Sequence, residues 1–139
     1  LLGGLLHGRT ATSNPIVLAT PAGERHEIGL LAVALLARDA GVKVVYLGVD
    51  LPAAEIVTAV ERTRARVVGL SIVGAGNRAR ATQEVKALGR TLPRECELWL
   101  GGADAGKLAS AIGDFRGIVL DTLSATETEL GRVVAGATG

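Results

Sequence analysis

Five short apolar runs alternate with five segments of helical periodicity along a chain of 139 residues. Continuous apolar runs are typical of strands that are covered by helices on both faces. Strands that alternate with helices form parallel sheets with right-handed crossovers. We therefore predict an α/β fold with a doubly wound, five-stranded parallel sheet. The predicted strands are residues 16–19, 42–47, 67–71, 97–100 and 117–120.

The default strand order for such a chain is 2-1-3-4-5, the flavodoxin-like (Rossmann-like) arrangement. This order makes strands one, three and four neighbours and puts the switch point between strands one and three. Ligands of open α/β sheets bind at the carboxyl ends of the strands, near that switch point. The residues that follow these three strands are Glu24 and His26, then Ser71, then Gly101 and Gly102. The sequence therefore predicts one ligand site built from three distant parts of the chain.

Composition favours one folded domain and argues against nucleic-acid binding. Hydrophobic residues make up 48% of the chain and charged residues 21%, which is typical of a globular domain. Aromatic residues make up only 2%, so the core is aliphatic and base-stacking platforms are not expected. The formal net charge of +1 gives no reason to expect a polyanionic partner. Arg62, Arg64 and Arg66 end a predicted helix, where cations are favourable, and we interpret them as solvated.

The ends of the chain and its cysteine content bear on domain organisation. Residues 1–14 are predicted to be the remnant of a preceding apolar helix and a linker, with His7 an exposed structural histidine, and residues 15–139 the domain itself. The longest apolar run is residues 28–37, shorter than the roughly 20 residues that span a membrane, and no signal peptide is recognised. We therefore expect a fragment of a longer cytoplasmic protein. A single cysteine, Cys96, excludes an intramolecular disulfide and a cysteine-based zinc cluster.

Three short motifs at the predicted site together resemble the cobalamin-binding domain family. That family carries Asp-x-His-x-x-Gly, then Ser-x-Leu or a variant, then Gly-Gly. In this sequence the motifs are Glu24-x-His26-x-x-Gly29, Ser71-x-Val73 and Gly101-Gly102. Glu in the first motif, and the phrase YLGVDLP at residues 46–52, are similar to the cobalamin domains of light-sensing MerR-type regulators. The resemblance covers residues 15–139.

The resemblance implies a corrinoid cofactor, adenosylcobalamin or methylcobalamin, with His26 as the lower axial ligand of cobalt. Neutral imidazole is a good ligand for such a metal, and Glu24 is the candidate acceptor for the second ring nitrogen. Ser71 is implied to hydrogen-bond the displaced base, and Gly101 and Gly102 to make room for the nucleotide tail. The implied cofactor-binding residues are Glu24, Arg25, His26, Gly29, Leu47, Gly48, Leu51, Ser71, Val73, Gly101 and Gly102.

Two functions follow from the resemblance, and a third belongs to a different class. The first is a sensory domain of a transcriptional regulator, not itself an enzyme, with a helical-bundle cap and a DNA-binding domain elsewhere in the full-length chain. The alternative is a corrinoid methyl-carrier subunit of a methyltransferase, with a mutase subunit less favoured. A flavodoxin-like receiver domain without a corrin requires an Asp after strand three, where this chain has Ser71. We expect no membrane partner, and homo-oligomerisation is left open.

Overall fold

A five-stranded parallel sheet of order β2-β1-β3-β4-β5 forms the centre of the computed structural model, which describes residues 14–138. The strands are β1 (Ile16–Pro21), β2 (Val44–Leu51), β3 (Val67–Ser71), β4 (Glu97–Gly101) and β5 (Ile118–Leu120). The helices are α1 (Ile28–Asp39), α2 (Ala53–Thr63), α3 (Arg78–Thr91), α4 (Ala105–Ile112) and α5 (Leu123–Thr138). The predicted fold class and strand order are confirmed.

Two aliphatic cores lie on opposite faces of the sheet. Alternate side chains of a strand point to opposite faces, so Val17 and Leu18 of β1 belong to different cores. Helices α2, α3 and α4 cover the face that contains Val17. Helices α1 and α5 cover the face that contains Leu18 and Trp99. The predicted remnant helix of residues 1–8, with His7, lies outside the described residues.

Several predicted boundaries shift in the structure. Strand β2 begins and ends later than predicted, at Val44 and Leu51, and its pairing with β1 shifts register after Leu18. Helix α1 begins at Ile28, two residues after His26, whose backbone N–H donates to the Glu24 side chain. His26 therefore lies in the loop between β1 and α1. Within residues 14–138, no helix is both long and apolar enough to cross a membrane.

Two side chains, Glu84 and Arg116, each form hydrogen bonds with backbone groups at a helix end that is distant from them in sequence. Glu84 Oε1, on α3, accepts a hydrogen bond from the backbone N–H of Ala53 at the start of α2 (2.9 Å). The Arg116 guanidinium donates to several backbone carbonyls just after α3, including those of Leu92 (3.0 Å) and Pro93 (2.8 Å). These contacts satisfy backbone groups that a helix leaves unpaired at its ends.

Candidate functional site

The Glu24 carboxylate is the fixed centre of the loop after β1. Its side chain is fully buried, yet both oxygens have hydrogen-bond donors. Oε1 accepts from the backbone N–H groups of Val73 (2.7 Å) and Gly74 (3.0 Å), just past β3. Oε2 accepts from the backbone N–H of His26 (3.0 Å). Burial alone would raise the pKa of Glu24, but its hydrogen bonds with His26, Val73 and Gly74 outweigh burial and lower this pKa.

One nitrogen of the His26 imidazole, Nδ1, is hydrogen-bonded, and the other, Nε2, is not hydrogen-bonded within residues 14–138. Nδ1 lies 2.7 Å from Oε2 of Glu24, while the side chain as a whole is 60% exposed. Because an ionised carboxylate only accepts hydrogen bonds, it selects the tautomer in which Nδ1 carries the proton. Nε2 then presents a lone pair, and it has no partner among the described residues. A histidine held in this way has one ring nitrogen free to bind a metal ion.

A cavity of about 460 Å³ lies beside this loop, between the sheet and helices α1 and α5. Its wall is mostly apolar, with hydroxyl and carboxylate groups contributed by Ser71 and by the start of α5. The residues that line it are Leu18, Ile28, Gly29, Leu30, Ala32, Val33, Gly69, Leu70, Ser71, Val73, Trp99, Gly101, Gly102, Ala103, Leu120, Asp121, Thr122, Leu123 and Thr126. Five predicted site residues, Gly29, Ser71, Val73, Gly101 and Gly102, are among them.

At two of the predicted site glycines, neighbouring atoms lie so close that a side chain would be crowded. A Cβ on Gly29 would lie 3.2 Å from Oγ of Ser71, so the start of α1 packs directly against the end of β3. Gly102 has φ +104°, and a Cβ there would lie 2.3 Å from the carbonyl oxygen of Ile72. No side chain fits at that distance, which is well inside van der Waals contact. The loops after β3 and β4 are thereby held together along one edge of the cavity.

Comparison with known proteins gives the family. Residues 14–123 match the model of the B12 binding domain. The chain belongs to this family. Two repressors from Myxococcus xanthus are similar to it: the HTH-type transcriptional repressor CarH, with 40% identity over 64% of this chain, and CarA, with 36% identity over 69%. The matched part of this chain spans only 30% of the length of CarH and 33% of the length of CarA.

A solved structure supports the same fold. A cobalamin-binding protein from Desulfitobacterium hafniense superposes with a TM-score of 0.72, over 96% of this chain and 71% of its own. The two sequences are 22% identical, so this likeness concerns the fold. The predicted family and the predicted flavodoxin-like fold of the B12-binding domain are confirmed.

Six predicted site residues do not line the cavity of the B12-binding domain: Glu24 and His26 lie on the loop beside it, and four others lie elsewhere. Arg25 is exposed on the loop beside His26. Leu47, Gly48 and Leu51 belong to β2, which is separated from β3 and β4 by β1. Leu47 and Leu51 pack against the core under α2, α3 and α4, on the opposite face from the cavity. The structure does not bring these three residues to the cavity wall.

The cavity is also lined by residues that lie outside the three motifs. Gly69 lies in the middle of β3 and lines the cavity; a Cβ there would lie 2.7 Å from Cδ2 of Leu18, so the absence of a side chain lets Leu18 pack against the strand. A glycine inside a strand is itself a signal that a ligand or another chain segment approaches closely. Asp121, in the loop between β5 and α5, and Thr126, on α5, bring polar groups to the cavity wall. No local pattern marks them, because only the tertiary fold places α5 beside α1.

Proposed function

We propose that this B12-binding domain holds adenosylcobalamin or methylcobalamin with Nε2 of His26 as the lower axial ligand of cobalt, the cofactor's own base being displaced. The observation that carries the proposal is the contact between Nδ1 of His26 and the buried carboxylate of Glu24. A carboxylate on the second ring nitrogen fixes the tautomer and raises the basicity of a metal-binding imidazole. Four hydrogen bonds keep that carboxylate ionised and in place.

The cavity fits the nucleotide tail of such a cofactor. Its volume of about 460 Å³ lies within the usual range for small-molecule sites. The apolar wall suits an aromatic base, and the Ser71 hydroxyl makes no hydrogen bond to any described residue, so it is available to a ligand. Gly29 and Gly102 allow the loops around the cavity to approach one another closely.

We infer that the domain serves as the sensory part of a transcriptional regulator. The similarity to CarH and CarA, both HTH-type transcriptional repressors, favours this role over that of a methyl carrier. The full-length protein would then carry a DNA-binding domain and a helical-bundle cap outside this segment. When bound, the corrinoid supplies a visible-light chromophore and an exchangeable upper axial ligand. The residues of this domain bind and orient it and hold the proton at Nδ1 of His26.

An absorption spectrum tests the proposed ligation. The chain is incubated with adenosylcobalamin in the dark and desalted, and its spectrum is compared with those of His26→Ala and His7→Ala, which replaces the only other histidine. We expect the wild-type chain and His7→Ala to retain a red, histidine-bound corrinoid. His26→Ala should give a yellow spectrum without an axial nitrogen, or no bound cofactor. A wild-type chain that retains no corrinoid, or a His26→Ala spectrum identical to that of the wild type, would refute the proposal.

The sensory role needs a separate test. Illumination of the wild-type complex with adenosylcobalamin is expected to change its absorption spectrum irreversibly, whereas a complex with methylcobalamin kept in the dark is stable. Methyl transfer from methylcobalamin on the domain to an added thiol acceptor, in the presence of a methyltransferase, would favour the methyl-carrier alternative instead.

A further inference from the structure

Thr20 is a buried polar residue that the site described above does not use. It lies in β1 with no exposed surface, and its hydroxyl makes two hydrogen bonds. Oγ1 donates to the backbone carbonyl of Glu24 (2.7 Å) and accepts from the backbone N–H of Asp50 (2.8 Å). The hydroxyl therefore joins the loop that carries His26 to the end of β2.

Asp50 completes this connection from the other side. Its carboxylate Oδ1 accepts from the backbone N–H of Gly23 (2.9 Å), one residue before Glu24. Its own backbone N–H also lies 3.1 Å from the Glu24 carbonyl. Asp50 has φ +59°, in the left-handed region that L residues rarely adopt. Backbone strain of this kind persists only where surrounding contacts enforce it, and it concentrates near functional sites.

These contacts fix Glu24 at its backbone, while other contacts fix its side chain. Thr20 and Asp50 both donate to the backbone carbonyl of Glu24, and Asp50 also accepts from the N–H of Gly23. The backbone amides that follow β3 hold Oε1 of the side chain. With both ends held, the second oxygen, Oε2, is directed at Nδ1 of His26.

We propose that Thr20 and Asp50 are positioning residues for the His26 ligand. They touch no cofactor; they act by holding Glu24 so that Oε2 keeps the proton on Nδ1 of His26 and the lone pair on Nε2. This inference rests on the proposed function, because the orientation matters most when Nε2 binds cobalt. Loss of one of the hydrogen bonds that connect Asp50, through Glu24, to His26 is expected to change the tautomer equilibrium of His26 about five-fold.

Four substitutions distinguish a positioning role of Thr20 and Asp50 from a general effect on the stability of the fold. Thr20→Val keeps the shape of the side chain and removes both hydrogen bonds. Asp50→Gly suits the positive φ and removes the carboxylate, whereas Asp50→Asn tolerates the same φ and keeps an acceptor oxygen. The control is Thr63→Val, which removes a hydroxyl bonded at 2.7 Å to the carbonyl of residue 59, at the far end of α2.

Two readouts are compared for each variant, one of them without cofactor. The first is the ratio of the two neutral tautomers of His26 in the cofactor-free chain, measured from imidazole ¹⁵N chemical shifts at one alkaline pH. The second is the Kd for adenosylcobalamin in the dark. We expect Thr20→Val and Asp50→Gly to lower the fraction of Nδ1–H tautomer and to raise Kd about five-fold. Asp50→Asn and Thr63→Val should match the wild type in both.

The outcomes distinguish this inference from the proposed function. If the wild-type chain binds the cofactor through His26 but Asp50→Gly leaves tautomer ratio and Kd unchanged, the positioning role is refuted and the ligation stands. If His26→Ala binds as tightly as the wild type, the ligation is refuted, and the tautomer ratio still decides whether Thr20 and Asp50 orient the imidazole. Should Thr20→Val fail to fold, the comparison of Asp50→Gly with Asp50→Asn decides alone. Equal effects of Asp50→Asn and Asp50→Gly would also refute the inference, because only the latter removes the acceptor.

Discussion

Replacing Glu24 by Gln tests the buried carboxylate at the centre of the site. In the variant, Oε1 can still accept from Val73 and Gly74, but an NH₂ group takes the place of Oε2 and faces the backbone N–H of His26. Hydrogen bonds to a charged group contribute about 1.5–3 kcal/mol each, and an unsatisfied buried donor adds a further cost. We expect a loss of about 3 kcal/mol in the free energy of unfolding at pH 7. The imidazole should also adopt its other tautomer, because the new NH₂ group donates to Nδ1.

The sign of the pH dependence follows from the direction of the pKa shift. The pKa of Glu24 is lower in the folded chain than its ordinary value of 4.5. Its contribution to stability is therefore fully present above pH 4.5 and is lost as the pH falls through the lower folded value. The difference between the wild-type chain and Glu24→Gln should shrink in the same window.

Urea denaturation of both chains at neutral and acidic pH measures this difference. Glu61→Gln, at an exposed position on α2, is the matched control and should change stability by less than about 0.5 kcal/mol. The reasoning is refuted if Glu24→Gln is no more destabilising than Glu61→Gln at pH 7. A difference that widens as the pH falls would refute the sign of the shift.

Three further substitutions test contacts around the site and at the helix ends. Gly102→Ala should destabilise the chain by at least about 2 kcal/mol in urea, because of its positive φ and the close backbone carbonyl, whereas Gly106→Ala in the open part of α4 should stabilise it by up to about 1 kcal/mol. Equal effects of the two would contradict the geometry. Arg116→Ala should cost about 2 kcal/mol by thermal unfolding, since several carbonyls lose their donor, and an unchanged Tm would count against these bonds. Glu84→Ala should cost about 1 kcal/mol and speed hydrogen exchange at the amide of Ala53, and an unchanged exchange rate would argue against the cap.

The fold and the centre of the site follow from local patterns in the sequence. Strands covered on both faces are continuous apolar runs, so the five strands and their order are predictable. The contact between Glu24 and His26 is also predictable, because only one residue lies between them in the same loop. The sheet order makes the ends of β1, β3 and β4 neighbours. It therefore also accounts for the close approach of Gly29 to Ser71 and for the position of Gly101 and Gly102 at the same edge.

The rest of the site depends on tertiary structure. Val73 and Gly74 hold Glu24 through backbone amides, and backbone donors leave no signal in residue identity. The phrase at residues 46–52 predicts Leu47 and Leu51 at the cofactor site. In the structure β2 is separated from β3 by β1, and both side chains pack against the core on the other face of the sheet. The polar residues at the start of α5 join the cavity only because α5 packs beside α1.

The electron paramagnetic resonance spectrum of the domain loaded with cob(II)alamin tests the ligation of cobalt by His26 most directly. The unpaired electron couples to the nucleus of the axial nitrogen, so the splitting identifies the atom that binds cobalt. If Nε2 of His26 binds cobalt, uniform ¹⁵N labelling of the protein will change this splitting from triplets to doublets, and the doublets will vanish in His26→Ala. Triplets that persist in the labelled protein would show that the cofactor's own base remains bound, and would contradict ligation by His26.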